Sequence, residues 1–547
     1  MIRNPILPGF NPDPSILRVG DDYYIATSTF EWFPAIALYH STDLASWQLF
    51  GHALEDERSL DLRRLPSAKG VWAPSLTYCK GDGLFYLCYS LMYSHNARYF
   101  DLDNFVVTAP AIEGPWSDPV RLHSVGFDPS LFHDDDGKSY LVSLQWELRG
   151  GEGRPDCIVA QEYDRSQRKL VGALVEIYRG ATRRGCLEGP NLYKRDQYYY
   201  LLCAEGGTGY GHSVTVARSI SPWGPYEIAE HNPILSAALD FDEADNSEFL
   251  KPHRYNPQTE LQKTGHGSLV ETPDGSWYLA FHCSRPFLPE LRCTLGRESA
   301  LAKLCWTDDG WPTLQGGGTY ARPEVEGPTT QKIALPDPLP ACGRSDFSED
   351  PGVHFISPRR DRSLFSSTSV RPGYLRLTGQ QSLCSLDTVA LVARCLQSLF
   401  AEVSTCVEFW PTDWRQSAGL VIYHDHMNYR FLRVTWHEGM KRRILMLTVL
   451  TNGERKEVEY GPIDSRGAIV LGLRVQGRSL TFFVEDEEGG RTVLAGEYDL
   501  SELSDEFSTY GEFTGTFVGM ACEDFRSHDV EADFKWFSYL HTELGVV

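Results

Sequence analysis

The 547-residue sequence lacks the features that mark disulfide-rich, membrane-spanning and nucleic-acid-binding chains. Its 13 cysteines are scattered and include no Cys-x-x-Cys pair, so reduced thiols are expected rather than a disulfide framework. No apolar run approaches the ~18 residues that a membrane helix needs. No lysine- or arginine-rich run offsets the net charge of −23, which disfavours nucleic acid as a partner and favours solubility.

Targeting and cofactor motifs are missing as well. The start, Met1-Ile-Arg-Asn-Pro, lacks the apolar core of a signal peptide, and with the cysteine usage this predicts a cytoplasmic location and no membrane partner. There is no phosphate-binding loop and no Gly-x-Gly-x-x-Gly between a strand and a helix, so no nucleotide or redox cofactor is expected. The 42% hydrophobic content is ample for large cores, and the length predicts two or three domains.

Five stretches of the chain repeat one pattern. Each has a variable residue, then a short Pro-Ser-Leu-like segment, a charged turn and an aromatic, apolar run. The steps between successive variable residues are 60, 55, 60 and 78 residues, which is typical of propeller blades or arrays. The residues in the variable position are Asp13, Ala73, Asp128, Glu188 and His266.

The repeats predict a five-bladed β-propeller. The apolar runs alternate and are bounded by Gly, Asp or Asn, which indicates strands, and about four strands fit each repeat. The inner strands of blades line a central channel, so the five variable residues should ring its mouth. The alternative is that they are ordinary turn residues, since Asp-Pro-Ser favours turns. Three acids in five repeats, one of them the poorer turn former Glu, favour a functional ring.

A second domain follows the repeats, which end near Trp311. We predict a propeller over residues 1–325, a stiff proline-rich linker over 326–342 and a β-sandwich of the jelly-roll, concanavalin-like kind over 343–547. The last part shows alternating strands and hairpin signals such as Thr451-Asn-Gly453. The expected fold class is therefore all-β.

Three carboxyl groups around one pocket could hold a metal ion or perform acid and base chemistry. Only one histidine and no acidic loop motif support the metal site. An inverting glycosidase needs two carboxyl groups roughly 6.5–9.5 Å apart, and crowding would raise the pKa of at least one. Phe30 and Trp72 adjoin the predicted mouth and would pack on a sugar ring; the alternative is that they belong to the blade core.

Several motifs, in order along the chain, resemble glycoside hydrolase family 43, and in particular its two-domain β-xylosidases. The resemblance covers nearly the whole chain and rests on Asn11-Pro-Asp13-Pro-Ser, Ser28-Thr-Phe-Glu-Trp-Phe-Pro34, Val71-Trp-Ala-Pro, Gly126-Phe-Asp128-Pro-Ser, Ala204-Glu-Gly-Gly-Thr208, Gly419-Leu-Val-Ile-Tyr and Phe513-Thr-Gly-Thr-Phe-Val-Gly519.

The resemblance implies roles for the ring. Asp13 matches the general base that activates water, and Glu188 matches the general acid. Asp128 matches the residue that orients Glu188 and tunes its pKa. Arg297 matches an arginine that binds the sugar and steadies the acids. His266 matches an axial histidine that in some members holds a water or a divalent cation such as calcium.

The resemblance also implies a pocket for the terminal sugar. Phe30, Trp72 and Trp146 match its wall, and Phe513 matches a phenylalanine that the sandwich sends toward the pocket as it leans over the propeller. The motif around the acid departs from the usual Thr-Glu-(Ala or Gly)-Pro-His, because Leu187 precedes Glu188 and Asn191 takes the place of the histidine.

These implications predict an inverting exo-glycosidase that releases D-xylose from the non-reducing end of β-1,4-xylo-oligosaccharides and requires no cofactor. The alternatives are α-L-arabinofuranosidase action, alone or as a second activity, a non-catalytic sugar-binding propeller, and a scaffold for protein partners. A homo-oligomer is left open, since a sandwich offers a large flat surface.

Overall fold

The computed structural model describes residues 1–96, 99–149, 156–239, 250–329, 342–463, 467–486, 489–509 and 513–541. The described part is almost entirely β-structure, as the sequence predicted. Its helices are three single turns of 3₁₀ type, Pro252–Arg254, Arg362–Leu364 and Leu500–Glu502. Within those ranges, no helix combines the length and the apolar character needed to cross a bilayer.

The first half of the chain forms five antiparallel sheets arranged as the blades of a propeller. The first strand of each blade contacts the first strand of the next, and the fifth contacts the first, so these strands form a closed ring around an axis. The five-bladed propeller expected from the repeats is confirmed.

Each blade has four strands in sequence order, with a fifth short strand in blade four. Blades one and two comprise Ser15–Val19, Asp22–Thr27, Ala35–Ser41 and Gln48–Leu54, then Gly70–Cys79, Leu84–Asn96, Tyr99–Ala109 and Val120–Arg121. Blade three comprises Ser130–His133, Ser139–Gln145, Cys157–Asp164 and Lys169–Tyr178. Blades four and five comprise Glu188–Arg195, Tyr198–Glu205, Ser213–Ser219, Glu227–Ile228 and Leu235–Ser236, then Gln262–Glu271, Trp277–Ser284, Glu298–Trp306 and Pro312–Leu314.

Apolar side chains fill the space between every pair of neighbouring blades. Leu87 and Val107 belong to the layer between blades one and two, and Leu201 to the layer between blades three and four. Further layers lie between blades two and three, four and five, and five and one. Burial of apolar area at about 25 cal/mol per Å² therefore holds the blades together and fixes the strand ends at the axis.

The two ends of the propeller segment are joined. Ile2–Arg3 pairs antiparallel with Glu324–Val325, and Leu7 forms a bridge with Ser299 of blade five. The Asn4 side chain donates a hydrogen bond to Leu301 O. These contacts close the ring and bring the segment that carries Asp13 against the blade that carries Arg297.

The second half of the chain forms a sandwich of a nine-stranded and a six-stranded antiparallel sheet. The larger sheet comprises Gly343–Ser345, Ser366–Ser367, Leu375–Thr378, Phe400–Phe409, Ile469–Gln476, Ser479–Glu485, Arg491–Val493, Tyr498–Asp499 and Glu531–His541. The smaller comprises Ala390–Cys395, Gln416–Asp425, Asn428–His437, Arg442–Thr451, Glu454–Pro462 and Phe517–Asp524. Most of the predicted linker, residues 330–341, lies outside the described residues.

The two halves share a buried interface. Ser357–Pro358 pairs with Trp32–Phe33 of the propeller in a small two-stranded sheet. The rings of Trp32 and Phe517 stack with their centroids 3.8 Å apart, and Trp32 is fully buried. A Cβ on Gly296 would lie 2.5 Å from Thr514 O, so the two backbones approach as closely as a glycine permits. The sandwich is thus packed onto the propeller beside the axis.

Replacing Trp32 by Ala tests this interface. A buried Trp→Ala change costs about 3–5 kcal/mol through lost transfer and an unfilled cavity, so the free energy of unfolding should fall by that amount. The matched control is Trp410→Ala, where the side chain is half exposed and packs on Arg443, and the expected cost is about 1 kcal/mol or less. Denaturant unfolding measures both, and an equal loss in the two variants would contradict the stacked interface.

Candidate active site

The variable residues of the repeat lie at the axis in an unusual backbone conformation. Asp13, Ala73, Asp128 and His266 have φ of +56°, +42°, +58° and +47°; Asp13 and Asp128 lie two residues before the first strand of their blades, and Ala73 and His266 lie within it. A non-glycine residue at positive φ costs free energy, and such residues cluster at functional sites. Here the conformation occurs at equivalent positions around the ring.

Glu188 does not occupy the variable position, and the sequence interpretation was wrong on this point. The strand registers align Ser15, Ser75, Ser130, Asn191 and Ser268, which pair with equivalent residues of the second strands. The residue two positions earlier in blade four is Gly189, at φ +58°. Glu188 therefore precedes the position by one residue, because strand register places the glycine of the Glu-Gly pair in it.

Asp13 is held as a buried carboxylate. Its Oδ1 accepts hydrogen bonds from Arg297 Nη1 at 2.7 Å and from His282 Nδ1 at 3.1 Å, and its Oδ2 accepts one from Ser28 Oγ at 2.7 Å. Burial alone would raise the pKa of Asp13, but Arg297, His282 and His266 outweigh it and hold the pKa well below its usual range. Asp13 is consequently ionised and able to accept a proton.

The pKa values of the other two carboxyl groups, Asp128 and Glu188, are raised instead of lowered. Burial raises the pKa of Asp128 to about 6, with His266 opposing and Asp13 adding to the rise. Burial, followed by the charges of Asp128 and Asp13, raises the pKa of Glu188 well above its usual range. Asp128 Oδ2 accepts a hydrogen bond from Gly189 N at 2.9 Å, which fixes the backbone next to Glu188. One ionised and one protonated carboxyl thus share the site.

Two histidines that the sequence analysis missed lie between these acids. His282 Nε2 is 2.8 Å from His212 Nδ1, and His212 Nε2 is 3.7 Å from Glu188 Oε1. Both rings are fully buried. His212 directly precedes the apolar strand Ser213–Ser219, and His282 lies near the end of the apolar strand Trp277–Ser284. A histidine in such a position is the signal that could have revealed them.

Aromatic rings form one wall of the site. Trp72 lies 5.7 Å from Phe30, 5.7 Å from Phe513 and 6.0 Å from Phe127 between ring centroids, and Trp146 lies 6.2 Å from Phe127. All four aromatic residues expected from the sequence are therefore in one cluster, to which the structure adds Phe127. Phe513 belongs to the sandwich, so the second domain contributes directly to the wall.

Arg297 connects the acids to this wall. Its guanidinium carbon lies 5.4 Å from the ring centroid of Phe30 and 5.4 Å from that of Phe513, and Nη2 donates to Phe513 O at 3.4 Å. Its buried Nε has no hydrogen-bond partner among the described residues. A hydroxyl group of a bound ligand could accept that hydrogen bond.

The described residues show no side-chain cluster of the kind that holds a metal ion. Within the described ranges no three His, Cys, Asp or Glu residues are grouped as metal ligands. His266 Nδ1 is 3.7 Å from Asp13 Oδ1, and that carboxylate is already satisfied by Arg297, His282 and Ser28. A divalent cation beside His266 stays a prediction.

An ionised carboxylate, a protonated carboxyl and an aromatic wall at one site are the features of a glycoside hydrolase. Comparison with known proteins agrees. Residues 2–312 match glycosyl hydrolases family 43, and residues 344–540 match the beta xylosidase C-terminal concanavalin A-like domain. The chain belongs to glycosyl hydrolases family 43, as the motifs indicated.

Similar proteins extend over the full length. A xylosidase/arabinosidase 43B of Humicola insolens is 39% identical over 98% of this chain and 97% of its own, and a xylan 1,3-beta-xylosidase of a Vibrio species is 41% identical over 98% and 99%. The crystal structure of a xylan beta-1,4-xylosidase from Bacillus halodurans superposes with a TM-score of 0.91, at 42% identity and over 99% and 100% of the two chains.

The raised pKa of Asp128 predicts a pH-dependent stability cost. The unfolded chain releases this proton near pH 3.8 and the folded protein only near 6, so stability falls as pH rises between these values and stays lower above them. Asp128→Asn keeps an acceptor for Gly189 N–H and removes the cost. The variant should therefore unfold at a higher temperature than the wild type at pH 7.5, with a smaller difference at pH 4.5. Asp196→Asn, on the surface, serves as the control, and a less stable Asp128→Asn at pH 7.5 would contradict the prediction.

Proposed function

We propose that this enzyme is an inverting exo-glycosidase that releases D-xylose from the non-reducing end of β-1,4-xylo-oligosaccharides. The observation that carries the proposal is the placement of Asp13 on Arg297 and His282 and of Glu188 beside His212 at one aromatic-lined site, where their surroundings drive the two pKa values in opposite directions. The names of the similar proteins, which include xylosidases of both linkage types, support the sugar.

The reaction follows from these two protonation states. Asp13 takes a proton from a water molecule, and the water oxygen attacks the anomeric carbon on the face opposite the leaving oxygen. Glu188 gives its proton to that leaving oxygen as the glycosidic bond breaks. The configuration inverts, so a β-xyloside yields α-D-xylose. Asp13 ends the reaction protonated and Glu188 ionised, and exchange with solvent restores both.

Asp128 acts on Glu188 as a positioning residue. Its hydrogen bond from Gly189 N holds the peptide that follows Glu188. Its charge is among the causes that raise the pKa of Glu188, second after burial. Both effects favour a proton on Glu188 at the start of each reaction cycle.

The walls of the site favour a terminal sugar. The rings of Trp72 and Phe513, together with the buried Phe30, form an apolar surface that suits the C–H groups of a pyranose. Arg297 Nε is left for a sugar hydroxyl. Because Phe513 comes from the sandwich and packs beside Trp72 and Arg297 of the propeller, the second domain narrows the site, which suits a chain end better than the middle of a polymer. This supports exo action.

The second candidate is α-L-arabinofuranosidase action at the same site. Arabinofuranose and xylopyranose present similar hydroxyl patterns to an arginine and aromatic wall, and the Humicola insolens relative carries both activities in its name. Release of p-nitrophenol from the β-D-xylopyranoside and the α-L-arabinofuranoside, compared side by side, separates the two. Dominant arabinoside turnover would replace the xylosidase proposal.

The same assay tests cofactor independence. Since the acid pair completes the reaction and the described residues form no metal cage, xyloside turnover should be unchanged after treatment with a chelator. Loss of turnover that added calcium restores would instead assign a required cation to the axis beside His266.

Glu188→Gln tests the acid. The amide keeps the shape of the side chain and cannot donate an acidic proton, so kcat on xylobiose should fall about 10²–10⁴-fold or more. The leaving group of an activated substrate such as 2,4-dinitrophenyl β-D-xyloside departs without protonation. The fall in kcat on that substrate should therefore be far smaller. Glu260→Gln, at an exposed position, is the isosteric control. A folded Glu188→Gln enzyme with wild-type activity on xylobiose would remove Glu188 from the role of acid.

A further inference from the structure

Two buried atoms without hydrogen-bond partners face each other at the site. Among the described residues, neither Glu188 Oε1 nor His212 Nε2 has a partner, and they are 3.7 Å apart. A buried polar atom without a partner costs free energy, and in native structures it often has a functional role. The distance is somewhat longer than a hydrogen bond, as is common for catalytic groups before substrate binds.

The protonation of the histidines follows from Asp13. An ionised carboxylate accepts hydrogen bonds only, so His282 carries its proton on Nδ1. The pKa of His282 is lowered to about 4 by burial, which leaves the ring neutral near pH 7 and its Nε2 bare. His212 must then donate from Nδ1 across the 2.8 Å contact. Burial and His282 lower the pKa of His212 well below its usual range, so its Nε2 is also bare.

We propose that His282 and His212 are positioning residues that form a tautomer relay between the general base and the general acid. The proposal rests on the roles proposed above for Asp13 and Glu188. The charge on Asp13 fixes both imidazole tautomers, and the last ring presents a lone pair to Glu188 Oε1. A protonated Glu188 can donate to that lone pair, whereas an ionised Glu188 is repelled by it.

The relay couples the two ionisation states that inversion requires. When Asp13 is charged, the histidine chain favours a proton on Glu188, in addition to the direct effects of burial, Asp128 and Asp13. Arg297 faces the same group and opposes this preference, while His266 lies on the Asp13 side of the ring, 5.9 Å from His282 between ring centroids. At Glu188 the relay therefore favours the protonated form and Arg297 the ionised form. At Asp13 the histidine and the arginine both favour the ionised form.

The His212 ring packs directly against the backbone of blade five. A Cβ on Gly265 would lie 2.3 Å from the His212 ring, so the glycine before His266 is the residue that admits this imidazole. His282 pairs with Gly265 in the sheet of blade five. The sequence Gly265-His266-Gly267 thus serves two purposes, placing His266 on the axis and making space for the relay.

The decisive experiment compares two substitutions of His212, one that keeps a polar group at the place of Nδ1 and one that keeps it at the place of Nε2. Asn reproduces the Nδ1 end of histidine and Gln the Nε2 end. In His212→Asn the contact with His282 can persist and the acceptor beside Glu188 is lost. The loss of kcat on xylobiose should then exceed the loss on 2,4-dinitrophenyl β-D-xyloside about tenfold or more, because only the first substrate needs the acid. His212→Gln should recover part of that loss.

The second signature is a pH profile that a purely structural role would not change. In His212→Asn the alkaline limb of kcat/KM on xylobiose should move to lower pH. His282→Asn should move the same limb, although His282 contacts Asp13 and not Glu188, because the link to His212 is cut. His40→Asn, outside the site, is the control.

Equal losses on both substrates with an unmoved alkaline limb would overturn the relay while leaving the acid and base assignments intact. A wild-type enzyme without xyloside turnover would instead overturn the proposed function. If the variants fail to fold, neutron diffraction from wild-type crystals decides the matter. Hydrogens on Nδ1 of both rings are expected, and a hydrogen on Nε2 of either ring would refute the relay.

Discussion

The buried ion pair between Arg297 and Asp13 sets the charge state of the whole site. Burying a charge is costly unless it is paired and hydrogen-bonded, and Asp13 meets that condition with three donors. Because Arg297 keeps Asp13 ionised, Asp13 acts as a fixed negative charge on its neighbours. Its charge contributes to the raised pKa of Asp128 and of Glu188. The division of labour between base and acid therefore begins with one arginine on the last blade.

The fold supplies this pair by closing a ring. Asp13 is near the start of the chain and Arg297 lies nearly three hundred residues later, and they meet because the N-terminal segment pairs with the end of the propeller. The apolar layers between blades keep the strand ends fixed, so the costly positive-φ turns at the axis can be maintained. The sandwich completes the pocket by contributing Phe513, whose position depends on the interface around Trp32 and Phe517.

Much of this architecture could be predicted from the sequence, because the repeat exposes equivalent positions. The five blades, the sandwich and the meeting of Asp13, Asp128, His266 and Arg297 followed from periodicity and family motifs. The placement of Glu188 in the repeat did not, because the Glu-Gly pair of blade four allowed two alignments and only strand register distinguishes them. His212 and His282 belong to no repeat position, so nothing in the spacing joined them. Their meeting depends on the packing of blade four against blade five around Gly265.

The most direct test of the account is the protonation state of each carboxyl group in the free enzyme. Carbon-13 NMR of enzyme labelled at the side-chain carboxyls of Asp and Glu, with each group assigned from a single Asn or Gln variant, measures it. We expect Asp13 to be ionised throughout pH 5 to 8, Asp128 to titrate near 6, and Glu188 to stay protonated to higher pH than Asp128. A protonated Asp13 or an ionised Glu188 at pH 6 would contradict the central claim that Arg297 divides base from acid.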